Sequence, residues 1–194
     1  MQPRLLLLAA ALPLSACVSF GAKPPPSLLT LTATAQMQPG QAQSSATSPT
    51  ILVLVPAVPQ AIAAMRVPVL SGETQVTYLK NAQWVEPPAR LFARLLSDTI
   101  SASTGRVVLS AAQSYADPGS RLTGELRNFG IDAASASAVV TYDASLMRTG
   151  SGPVEKRRFE ARVPLSSIEA VPAGAGLNQA ANQVAGEVAS WIGR

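Results

Sequence analysis

A single cysteine, Cys17, and no histidine set the terms on which this chain can fold. No intrachain disulfide can form. Neither a zinc site built on imidazole or paired thiolates nor Ser-His-Asp or Cys-His catalysis is available. Stability must therefore come from an apolar core. The cysteine closes a segment with its own logic. Arg4 supplies a positive start, Leu5 to Leu12 an apolar run, and Ser15-Ala16, after Leu14, the small residues before Cys17. That is the anatomy of a secretory signal segment. The apolar run is far short of the ~20 residues a spanning helix needs, and Pro13 interrupts it. Residues 1–16 are therefore excluded from the fold.

Leu14-Ser15-Ala16-Cys17 resembles the lipobox of bacterial lipoproteins. The resemblance implies cleavage between Ala16 and Cys17, a diacylglyceryl group on the Cys17 sulfur and acylation of the new amino terminus. A cysteine suits this chemistry because its thiolate is a strong nucleophile. Two or more acyl chains, at ~0.8 kcal/mol per buried methylene, hold a protein stably on a bilayer. No cofactor beyond this covalent lipid is expected. Val18 follows Cys17, where an aspartate would favour inner-membrane retention under the enterobacterial sorting rule. The expectation is an outer-membrane lipoprotein facing the periplasm.

The formal charge of +4 falls to +3 without residues 1–16, which contain Arg4 and no acid. The densest basic spot is Lys156-Arg157-Arg158, in an alternating stretch that reads as a strand. Nucleic-acid binding is poorly supported. Membrane contact is expected through the anchor.

Residues 17–50 are poor in charge and rich in Ser, Thr, Ala, Gln and Pro. They read as a flexible lipidated tether holding one short strand at Leu28 to Thr32. The domain is expected over 51–194. Ile51 to Val55 is a continuous apolar run suited to a strand buried on both faces. Met65 to Leu70, a turn at Ser71-Gly72 and Thr74 to Leu79 read as a hairpin. Pro87-Pro88 opens a helix that Gly105 stops. A short strand at Arg106 to Leu109 follows, then a turn at Asp117-Pro118-Gly119. Longer strands run from Arg121 to Phe129, Val139 to Met147 and Val154 to Val163, the last two joined by a turn at Gly150-Ser151-Gly152. A glycine-rich loop ending near Gly176 leads to a last helix with Leu177, Ala181, Val184, Val188 and Trp191 on one stripe. The fold class is α+β, a mainly antiparallel sheet with two helices on one face.

Chemistry is sparse. Glu86, Asp98, Glu125, Asp132, Asp143 and Glu160 show no paired spacing, and no G-x-x-x-x-G-K run exists. Neither a catalytic residue nor a metal ligand is expected, and the chain is read as no enzyme. The distinctive stretch is Thr77 to Pro88, which sets a tyrosine and a tryptophan around a short polar connection before a helix. Trp84 packs as a lid on the core, or else Thr77, Tyr78, Trp84 and Glu86 form a surface for a partner.

At these residues the chain resembles the ABC-type transport auxiliary lipoprotein family. The resemblance rests on the order of the lipobox, Leu28-Leu29-Thr30-Leu31, Ile51 to Val55, the Tyr78 to Pro87 block leading into a helix, and the strand meander with its final helix. It implies a non-catalytic auxiliary component of an ABC or MCE-type system that moves lipids between two membranes. Its partner would be the periplasmic MCE-type or substrate-carrying component, and self-association is left open. A regulatory lipoprotein activating a cell-wall synthesis enzyme is the alternative.

Overall fold

The computed structural model describes residues 27–72, 74–115, 119–148 and 152–193. The lipidation and cleavage residues Cys17 and Ala16 lie outside this set. So do most of the two turns expected at 117–119 and 150–152.

Seven strands form one mixed sheet: β1 (Thr50–Val53), β2 (Arg66–Ser71), β3 (Gln75–Gln83), β4 (Val107–Leu109), β5 (Ser120–Asp132), β6 (Ser137–Met147) and β7 (Val154–Pro164). Three helices accompany them: α1 (Gln60–Ala63), α2 (Pro88–Thr104) and α3 (Ala170–Ile192). The long β5 is the axis. One edge pairs antiparallel with β6 along its length, and β6 pairs antiparallel with β7. The other edge is divided. Its first half takes β1 in parallel, flanked by β4, and its last residues take β2, which forms an antiparallel hairpin with β3. By paired residues the sheet is mainly antiparallel, as expected, with parallel pairing of β1 to β4 and β5 and of β2 to β5. Ile51 and Leu52 lie between two strands and are buried, as expected, but the strand ends at Val53 and Val55 is exposed, so the apolar run outlasts the buried stretch.

The α2 helix follows its sequence signals. Pro88 occupies the first turn, and Gly105 caps the end at φ 69°, its N–H donating to the Ser101 carbonyl at 3.2 Å. Its buried stripe is Leu91, Phe92, Leu95, Leu96, Thr99 and Ile100. Against it lies a ring cluster, with Phe92 5.3 Å from Tyr142 and 6.4 Å from Phe129.

The last helix departs from expectation. It begins at Ala170, so Gly174 and Gly176 lie inside α3 rather than in a loop. Packing explains both glycines. A Cβ on Gly174 would stand 2.7 Å from Leu29 Cδ2, and one on Gly176 would collide with Leu165. The missing side chains let the helix approach these neighbours closely, at a modest cost in helix propensity.

The segment expected as a tether is also more engaged than its composition suggests. The Leu29 N–H donates to the Gln83 carbonyl at 2.7 Å, and the Val85 N–H donates to the Leu29 carbonyl at 2.9 Å. The expected strand is therefore a single bridge to Trp84. Beyond it the backbone is held by side chains of α3. Asn178 Oδ1 accepts from the Thr32 N–H at 2.9 Å, Asn182 Oδ1 from the Thr34 N–H at 2.7 Å, and Asn182 Nδ2 returns a bond to the Thr32 carbonyl. Ala33 is buried beneath this strap. Further on, Gln43 Nε2 donates to the Ser101 carbonyl at 3.3 Å. The chain from Leu29 to Thr34 is held against the domain, while most of the residues from there to Pro49 are exposed. Leu29→Ala should lower unfolding free energy by about 2 kcal/mol, toward the small end for leucine truncation because Leu29 is half-buried. A urea melt reads this; a free tether residue would leave the midpoint unchanged.

Candidate functional site

The sheet face turned away from the helices is a charge ladder. Arg158 grips Asp143 through two bonds of 2.6 and 2.7 Å, and Arg127 stands 3.6 Å from the same carboxylate. Arg162 joins Glu160 and Asp132. The Arg158 bonds hold the Asp143 carboxyl below its ordinary range. Opposite charges alternate across neighbouring strands, so the ladder neutralises itself and leaves a solvated face. At the far end of α3, Arg148 and Arg106 donate to the Ile192 carbonyl at 3.2 and 3.4 Å, placing positive charge at the negative end of the helix dipole. Burial and the nearby Arg148 push the Arg106 guanidinium below its ordinary value. Among the described residues no group of three or more Asp, Glu, His or Cys could hold a metal ion, and no helix is long and apolar enough to cross a membrane.

A concave feature with a mixed polar and apolar lining lies elsewhere, between β3 and the start of α3. It is an open groove of about 610 Å3. One wall is Thr77, Leu79, Lys80 and Asn81, and the other is Ile168, Glu169 and Val171. Two local features shape it. Register between β2 and β3 shifts between Arg66 and Pro68, whose partners are Gln83 and Tyr78, so extra residues bulge out of β3. Asn81 sits in that bulge at φ 54°, a left-handed conformation that asparagine tolerates better than most residues. Val171, in the first turn of α3, is 77% exposed beside this bulge, and Val76 and Leu70 on the hairpin are also exposed. An open groove of mixed lining beside a strand edge is suited to holding another chain rather than to chemistry.

The four residues expected to form a contact surface do not come together. Thr77 and Tyr78 line the groove. The Tyr78 ring also carries the Arg66 guanidinium 4.2 Å from its centroid, and its hydroxyl donates to the Ala61 carbonyl. Trp84 is 0% exposed, with its ring centroid 5.3 Å from that of Phe129. It is the core lid, and the contact reading is withdrawn for it because a fully buried indole offers no surface. Glu86 forms a 2.7 Å ion pair with Arg94 just ahead of α2, where its charge suits the helix start. Leu79, Lys80 and Asn81 lay within the stretch from Thr77 to Glu86 marked in the sequence, which did not reveal the bulge at Asn81 or the opposite wall at 168–171. Asn81 was the available signal for the bulge, since it interrupts an otherwise alternating strand.

Comparison with known proteins fits this description. A family model described as ABC-type transport auxiliary lipoprotein component matches residues 29–189, starting at the strap. A crystal structure of a Xanthomonas campestris protein superposes with a TM-score of 0.70 at 21% identity, covering 85% of this chain and 94% of that one. A second crystal structure, of an uncharacterized protein, gives a TM-score of 0.63 at 17% identity, with 86% and 99% covered. At these identities both share the fold. No curated protein matches. The chain belongs to the family of ABC-type transport auxiliary lipoprotein components.

Proposed function

We propose that this protein is a non-catalytic, membrane-anchored auxiliary subunit of an MCE-type system that carries lipids between the two membranes of a Gram-negative envelope. Lipid on Cys17 holds it to the periplasmic side of the outer membrane. Its folded domain docks the periplasmic substrate-carrying component in the groove between β3 and the start of α3. The observation that carries the reading is family membership across residues 29–189. The groove supports docking because its exposed apolar side chain Val171 lies beside a strand edge on which Val76 is also exposed.

A photo-crosslinking residue placed at Thr77 should trap the substrate-carrying component in intact cells. The same residue at Arg158, on the charge ladder, should trap it far less. Equal trapping at both positions would remove the groove from the reading. Adducts at Thr77 with a cell-wall synthase would favour a regulatory lipoprotein instead.

A further inference from the structure

The end of α3 gathers more positive charge than its structural role needs. Arg148 is engaged there: Glu155 takes its Nε at 2.6 Å, and the carbonyls of Ile192 and Trp191 take Nη1 and Nη2 at 3.2 and 3.4 Å. Arg106 is half-buried beside it and far less engaged. Among the described residues its guanidinium makes one hydrogen bond, from Nη2 to the Ile192 carbonyl at 3.4 Å, and meets no carboxylate. The like charge of Arg148 works against it. The helix end offers roughly half a negative charge, and Glu155 a whole one. Two guanidiniums exceed both together, so a positive surplus stays at Arg106.

The topology sets hydroxyls beside this surplus. Parallel pairing of β1 with β4 puts Thr50 opposite Val107, and the Val107 N–H donates to the Pro49 carbonyl at 3.0 Å. The residues that lead into the two strands, Ser48 and Arg106, therefore meet at one end of the sheet. They line an open recess of about 490 Å3 together with Ser45, Thr50, Ser120 and Arg148, and no carboxylate is among its described lining. Two of the hydroxyls build the floor. Ser120 Oγ donates to the Arg148 carbonyl, and Thr50 is buried so tightly that a Cβ at Gly119 would collide with its Oγ1. The hydroxyls of Ser45 and Ser48 bond nothing among the described residues.

We infer that this recess binds a phosphate group between the Arg106 guanidinium and the hydroxyls of Ser45 and Ser48. The donors decide the ligand class. A guanidinium has N–H groups and no acceptor, and its planar fork matches the oxygens of phosphate. Hydroxyls arriving from a second segment suit a tetrahedral anion, whose oxygens point in several directions, better than a planar carboxylate. Pro49 is the one apolar side chain of the described lining, so acyl chains find no seat there. What is recognised is the phosphate itself, as free inorganic phosphate or as the headgroup of a phospholipid whose chains stay outside. The recess is remote from the docking groove. That groove lies at the start of α3, whose 23 residues span ~35 Å, and the phosphate site does not depend on it.

The test is an NMR titration of the full-length lipidated protein in neutral detergent micelles. Sodium phosphate and dihexanoyl phosphatidylglycerol are added separately, with sodium chloride of equal ionic strength and dihexanoylglycerol, which lacks the phosphate, as controls. The backbone amides of Ser45, Ser48 and Ser120 should shift saturably with a phosphate-bearing ligand and with neither control. A shift with inorganic phosphate shows that the free anion suffices; a shift with the phospholipid alone assigns the headgroup. Arg106→Gln should weaken the binding by about tenfold, and Ser45→Ala combined with Ser48→Ala by about threefold, because charge-assisted bonds outweigh neutral ones. Melts establish that the variants are folded. If Arg106→Gln is not, the wild-type titration and the serine variant decide. The absence of a saturable shift with both phosphate ligands, an equal shift with either control, or wild-type affinity in a folded Arg106→Gln or in the serine variant would overturn the site.

Discussion

Trp84→Ala should cost about 3–5 kcal/mol of folding stability, the range for removing a large buried ring. The indole is fully buried where β3 hands over to α2, and it packs on Phe129, which in turn meets Phe92 of α2. Removing it opens a cavity where the hairpin, the helix start and the Leu29 bridge meet. Trp84→Phe should cost far less. The Trp84 Nε1 is buried without a hydrogen-bond partner among the described residues, so phenylalanine removes an unsatisfied donor while keeping a ring. Denaturant melts read both values. Partner binding by the folded fraction should be unchanged, because Trp84 offers no surface. Weaker binding with stability intact would return Trp84 to the contact surface.

Cys17→Ser should move the protein from the membrane fraction to an unprocessed or soluble form. A hydroxyl does not replace the thiolate that would take the diacylglyceryl group. Losing two or more acyl chains, at ~0.8 kcal/mol per buried methylene, removes nearly all bilayer affinity. Labelled palmitate incorporation and membrane flotation check it. Equal labelling of the serine variant would contradict the anchor. Because Leu29 and the strap hold to α3, the domain of this variant should melt at the wild-type temperature.

The elements legible in the sequence were those whose signal is local. The first residues of the apolar run at Ile51 and the alternation in β5 to β7 encode their own burial, and the proline and glycine bounding α2 encode its ends. What escaped depends on a distant partner. The strap from Thr32 to Thr34 is held by Asn178 and Asn182, bonds that span about 150 residues of sequence and leave no apolar trace. Gly174 and Gly176 suggested a loop because their purpose, close approach to Leu29 and Leu165, exists only in the folded state. The candidate site was half legible for the same reason. The wall from Thr77 to Asn81 lay within the stretch marked by its tyrosine and tryptophan, but the opposite wall at Ile168 to Val171 comes from another element, about ninety residues later.

The most direct test of the central claim is to isolate the lipidated, full-length protein from solubilised envelopes under native conditions and identify what accompanies it. The account predicts an MCE-type substrate-carrying protein together with its permease and ATPase, and their loss when a bulky charge replaces the groove wall in Val171→Glu. Recovery of the protein alone, or with a cell-wall synthase and no transport component, would contradict it.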